Sequence, residues 1–149
     1  MNSKRFCGGL TVKGDIELEP GLYIIDGGTF RLNGTASILA PTGGVTFYLA
    51  NGATLALNAS SVVSLAAPTS GMYSGILFFG PRQDDPYNVA EHKINGGAGL
   101  ELTGAIYLPS QNLTFNGNSN THDGCTQIVA NTITMTGNST LATAACEPL

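Results

Sequence analysis

The chain has 149 residues, 42% of them hydrophobic and only 11% charged, with six Lys plus Arg and a formal net charge of -4. Positive charge this sparse and scattered offers no electrostatic footprint for nucleic acid or anionic lipid, and the hydrophobic share is too high for a disordered chain. No apolar run approaches the eighteen or so residues of a spanning helix, so no membrane span is expected, and the length fits one domain, 1–149.

In chain order, the first recurring signal is the corner Val12-Lys13-Gly14: an apolar residue, a polar one, then glycine. It returns at Leu32-Asn33-Gly34, as a variant at Leu57-Asn58-Ala59, and at Ile94-Asn95-Gly96. The last third writes the unit twice, at Asn112 to Ser119 and Asn131 to Ser139. Each copy holds two apolar residues around a polar one and then a Gly-Asn turn signal. The resulting column Val12, Leu32, Leu57, Ile94, Phe115, Met135 has intervals of 20, 25, 37, 21 and 20 residues, so two turns carry inserts.

A second column opens on glycine, at Gly21-Leu22-Tyr23-Ile24, Gly44-Val45-Thr46-Phe47, Gly75-Ile76-Leu77-Phe78, Gly104-Ala105-Ile106-Tyr107 and Gly124-Cys125-Thr126-Gln127. Between the columns lie Asp15 to Leu18, Ser37 to Leu39, Val62 to Leu65 and Leu100 to Leu102, a third short strand per unit. A unit of about twenty residues cannot bury its apolar face alone, so copies must stack. The expected fold is all-β: a right-handed single-stranded parallel β-helix of about six coils, roughly 29 Å long, with its main insert near 80–92. At most a turn of helix is expected, in that insert.

Cys125 and Cys146 are 21 residues apart, one turn plus one residue, which places them in neighbouring coils within reach of a disulfide and points to an oxidising compartment. Two small buried thiols are the alternative, because the one-residue offset turns neighbours to opposite faces. Cys7, in the first coil, is too far away to join either.

The insert Gly80 to His92 is the largest departure from the repeat, and loops on a rigid scaffold often carry function. Asp84, Asp85 and Glu91 are its candidate ligand-binding residues, for Ca²⁺ or for carbohydrate; a solvated loop is the plainer expectation. Their spacing does not fit an EF-hand loop. His92 and His122 are the only histidines, with no zinc-ligand spacing around them. No nucleophile elbow or phosphate-binding glycine loop occurs, so no catalytic residue, metal or cofactor is assigned and no enzyme is expected.

Asn33, Asn58, Asn95 and Asn116 recur at one corner, where stacked amides can bond from coil to coil; a ladder is expected there, not a ligand site. The outward residues Thr11, Arg31, Ala56, Lys93, Thr114 and Thr134 include two bulky cations, which spoils the flat threonine array that ice binding requires.

Cys7-Gly8-Gly9-Leu10-Thr11-Val12, Glu19 to Ile25, Gly44 to Leu49, Ala67-Pro68-Thr69-Ser70-Gly71 through Phe79, and Gly104 to Pro109 together resemble the β-helical domain near the C-terminus of TadG-like proteins of bacterial tight-adherence (Flp) pilus assembly. The resemblance covers nearly the whole chain. It implies an extracytoplasmic domain, in the periplasm or at the cell surface, excised from a longer protein with an upstream anchor. The implied role is a scaffold or interaction domain whose partners are other envelope or pilus proteins. A carbohydrate-binding or polysaccharide-cleaving β-helix that uses the 80–92 insert is the alternative.

Overall fold

The computed structural model describes residues 2–40, 43–58, 60–82, 89–95, 100–116 and 125–138. Its strands, in chain order, are β1 (Ser3–Val12), β2 (Asp15–Glu17), β3 (Gly21–Leu32), β4 (Ser37–Leu39), β5 (Val45–Ala50), β6 (Thr54–Leu57), β7 (Val62–Ala66), β8 (Ile76–Phe79), β9 (Glu91–Asn95), β10 (Leu100–Asn116) and β11 (Thr126–Met135). Every strand pairing is parallel, and no helix occurs among the described residues.

The pairings sort the strands onto three faces of a β-solenoid. The first face stacks the opening half of β1, then the opening half of β3, β5, β8, the middle of β10 and the opening half of β11. The second face stacks the closing halves of β1 and β3, then β6, β9, the end of β10 and the end of β11. The third runs β2, β4, β7 and the start of β10. Six rungs on two faces enclose about five turns.

The interior follows from period-two alternation on each face. Val12 pairs with Leu32, Leu57 with Ile94, Ile94 with Phe115 and Phe115 with Met135, which is the column expected from the corners. The third face is built from the stretches expected to supply it, with Ile16 paired with Ile38, Ile38 with Val63 and Val63 with Leu100. Phe30, Phe47, Phe78 and Phe115 are fully buried. Phe47 stacks between Phe30 at 4.9 Å and Phe78 at 5.2 Å, an arrangement that adds about 0.5–1.5 kcal/mol per pair beyond area burial.

The glycine-led column needs a correction. Gly21 pairs with Val45, one residue beyond the expected Gly44, and Gly104 pairs with Thr126, two beyond Gly124. The glycines sit at slightly different points of the bend, so they are poor markers of register. Side-chain parity decides instead: the shift puts Tyr23 over Phe47, both inward, where the glycine alignment would have set Tyr23 over Thr46.

Between the first and second faces the lower coils turn on pairs of left-handed residues: Gly8-Gly9, Gly27-Gly28 and Asn51-Gly52, all with positive φ. Glycine and asparagine are the residues that accept this conformation at low cost. At the fourth rung β8 ends at Phe79 and β9 begins at Glu91, so residues 80–90 stand between the two faces there. The insert therefore ends earlier than expected. Glu91 and His92 belong to strand β9 and pair with Asn112 and Leu113 of β10.

Candidate functional site

The long connection between β8 and β9 is the largest departure from the repeat, so the described side chains around it form the candidate site. Asp84 and Asp85 lie outside the described residues. Glu91, on the outward side of β9, accepts a hydrogen bond from Asn112 Nδ2 at 2.7 Å, and Asn112 Oδ1 in turn accepts from Asn131 Nδ2 at 3.0 Å. The Glu91 carboxylate is thus engaged along the stack of rungs.

The same upward bonding recurs over the lateral surface. Asn116 Nδ2 donates to Asn95 Oδ1 at 2.9 Å, and Asn58 Nδ2 donates to the Leu32 carbonyl. The asparagine ladder is therefore present at this corner, in one place amide to amide and in another amide to backbone. Thr29 and Thr54 share a hydroxyl bond of 2.9 Å. Asp26 binds Arg5 at 2.6 Å and accepts from Asn51, and these two contacts, Asn51 first, hold its carboxyl below the ordinary carboxylate value.

His92 is the residue that sequence reasoning misjudged. Its place in the 80–92 insert suggests a loop histidine, yet its side chain is fully buried. Pairing places it inward, next to Leu113 on the rung above. Its Nδ1 accepts from the Leu55 backbone N–H at 2.9 Å, so the neutral ring carries its proton on Nε2 and donates to Gln111 Oε1 at 2.5 Å. Gln111 is also fully buried, and its Nε2 has no hydrogen-bond partner among the described residues. A side chain at Gly80 would crowd this amide, since a Cβ there would lie 2.6 Å from Gln111 Oε1. The signal was available: two positions before Ile94 on an alternating strand is again an inward position.

Burial pushes the His92 pKa down, while the Gln111 bond and the Glu91 charge oppose that shift more weakly. Protonation would also turn Nδ1 into a donor facing the Leu55 N–H, which breaks that bond. A folded-state value below the unfolded one means that the unfolded chain binds the extra proton first. Stability is therefore full above the ordinary histidine value and declines as pH falls from there toward the depressed one. The expected slope from this group is at most about 1.4 kcal/mol per pH unit. Denaturant melts from neutral pH to about pH 5 should show that slope in the parent and lose it in His92→Gln; equal slopes would mean that His92 is not the titrating group.

On the outward side of the first face, Tyr48 stacks on Phe79 at 4.5 Å and Tyr73 on Phe79 at 5.5 Å, and Arg82 donates to the Tyr107 hydroxyl at 3.1 Å. Among the described residues no group of His, Cys, Asp and Glu could hold a metal ion. Cys125 is disulfide-bonded and Cys7 is free and exposed; the expected partner Cys146 lies outside the described residues. No family model, curated protein or solved structure matches the chain.

Proposed function

We propose that this domain is a non-enzymatic, extracytoplasmic scaffold or interaction module of a bacterial tight-adherence pilus-assembly protein. The observation that carries the non-enzymatic part is how the lateral polar groups are used. Glu91, Asn112 and Asn131 bond upward from rung to rung, as do Arg5, Asp26 and Asn51, and Thr29 and Thr54. Groups engaged along the axis stiffen a rod; catalysis would require them to converge on a substrate with a base or a metal in reach. The disulfide at Cys125 supports an oxidising compartment, and the pilus setting rests on the resemblance of the residues. Among the described residues no helix is long and apolar enough to cross a membrane.

The test is a screen of acidic and neutral polysaccharides for turnover, with and without Ca²⁺, using the parent and the variants Asp84→Ala, Asp85→Ala and Glu91→Ala. No turnover by any of the four proteins is expected. Turnover by the parent that one of these substitutions abolishes would replace the scaffold with the polysaccharide-cleaving alternative.

A further inference from the structure

Asparagine stands directly before glycine at Asn33-Gly34, Asn51-Gly52, Asn95-Gly96 and Asn116-Gly117. This order is chemically labile, because the glycine nitrogen can reach the side-chain carbonyl carbon with no Cβ in the way. Gly96 and Gly117 lie outside the described residues, so the comparison is between the first two pairs. The fold treats them differently.

At Asn51 the side-chain amide is held. Its Nδ2 donates to Asp26 Oδ1 at 2.5 Å, which turns it toward the rung below and sets a carboxylate beside it, anchored in turn by Arg5. At Asn33 only the main chain is engaged. Its N–H donates to the Val12 carbonyl at 3.0 Å, and its carbonyl accepts from the Ala36 N–H at 3.1 Å. That second bond closes a tight turn with Gly34, φ +59°, as its first central residue. Among the described residues neither the Asn33 amide nor the Gly34 N–H has a hydrogen-bond partner. The space is open as well, since a Cβ on Gly34 would meet nothing within 4 Å.

We propose that Asn33-Gly34 is a site of self-modification by deamidation. The Gly34 nitrogen attacks Asn33 Cγ, a C–N bond closes a succinimide ring, the Cγ–Nδ2 bond breaks, and Nδ2 takes up the displaced proton and leaves as ammonia. Water then opens the ring at either carbonyl to give aspartate or isoaspartate, so solvent is the only co-reactant. The product carries a carboxylate in place of a neutral amide. Exposed Lys13 follows Val12 as Asn33 follows Leu32, so the rung below offers that carboxylate a counter-charge. The isoaspartyl product also adds a carbon to the main chain of the turn and so disturbs the bonds to Val12 and Ala36. Exposure alone would rank the two sites the other way, because Asn51 is exposed and Asn33 half-buried. The inference does not depend on the pilus reading.

The experiment ages the full chain in mildly alkaline buffer, well below its melting temperature, and follows it by peptide mass spectrometry. Fragment ions separate position 33 from position 51, and aspartate from isoaspartate. Asn33 should convert roughly tenfold faster than Asn51, a margin that one charge-assisted hydrogen bond can supply. In denaturant the two rates should converge, since both pairs are Asn-Gly. Asp26→Ala should speed conversion at Asn51 and leave Asn33 as it was, and Gly34→Ala should suppress conversion at Asn33. Amide exchange at Ala36 should quicken in step with isoaspartate at position 33. No conversion at Asn33, equal or faster conversion at Asn51 in the folded chain, a difference that persists in denaturant, or an Asn51 still protected in Asp26→Ala would each overturn the proposal.

Discussion

Replacing Leu57 with Asp should cost the fold about 3 kcal/mol or more. Leu57 is 1% exposed and pairs with Ile94 in the interior column, with the fully buried Leu32 on the rung below. A carboxylate there either stays ionised without a partner in an apolar stack or takes up a proton, and both routes draw on the folding free energy. Packing is lost as well, because the shorter side chain leaves part of the leucine volume unfilled. A denaturant melt of Leu57→Asp against the parent measures the loss, and unchanged midpoints would show that this column does not face the interior.

The second large effect is expected at a corner. Gly28 has a φ of +66°, and a Cβ placed on it would overlap the carbonyl oxygen of Gly8 on the rung below. Gly28→Ala therefore combines the penalty of a left-handed backbone with a clash against backbone that cannot swing aside, for a total on the order of 3 kcal/mol. Gly34 supplies the internal comparison. Its φ is +59°, but a Cβ there meets nothing within 4 Å, so Gly34→Ala should cost only about 1–2 kcal/mol. Melting both variants separates the stacking of rungs from the local backbone cost. Equal losses would mean that close approach of the rungs at Gly28 contributes nothing.

These two sites also mark how far the chain could be read unaided. The column through Leu57 was legible because each strand alternates and each is closed by an apolar-polar-glycine corner, two signals that fall in phase. The double left-handed corner was written just as plainly in Gly8-Gly9, Gly27-Gly28 and Asn51-Gly52, but it lay between two columns anchored elsewhere. Glycine misled at Gly21 and Gly104, where the bend tolerates a shift of one or two residues; at Gly21 the buried aromatics Tyr23 and Phe47 set the register. His92 shows the same lesson at the candidate site. Its neighbours Glu91 and Lys93 are charged, so the segment looks like loop, yet alternation from Ile94 turns the imidazole inward.

By itself, then, the amino-acid order determined which residues share a column and which face the interior, because both follow from a period that is local to each strand. It determined that the rungs must stack, since no single unit can bury its own apolar face. Only the tertiary structure decided what each side chain meets on the neighbouring rung. Gln111 lies nineteen residues from His92 and reaches it only because β10 pairs with β9. The tertiary structure alone also distinguished Met135 from Phe115. Both stand in one column with the same local pattern, but among the described residues Phe115 has a rung on either side and Met135 has one; the first is fully buried and the second is 47% exposed.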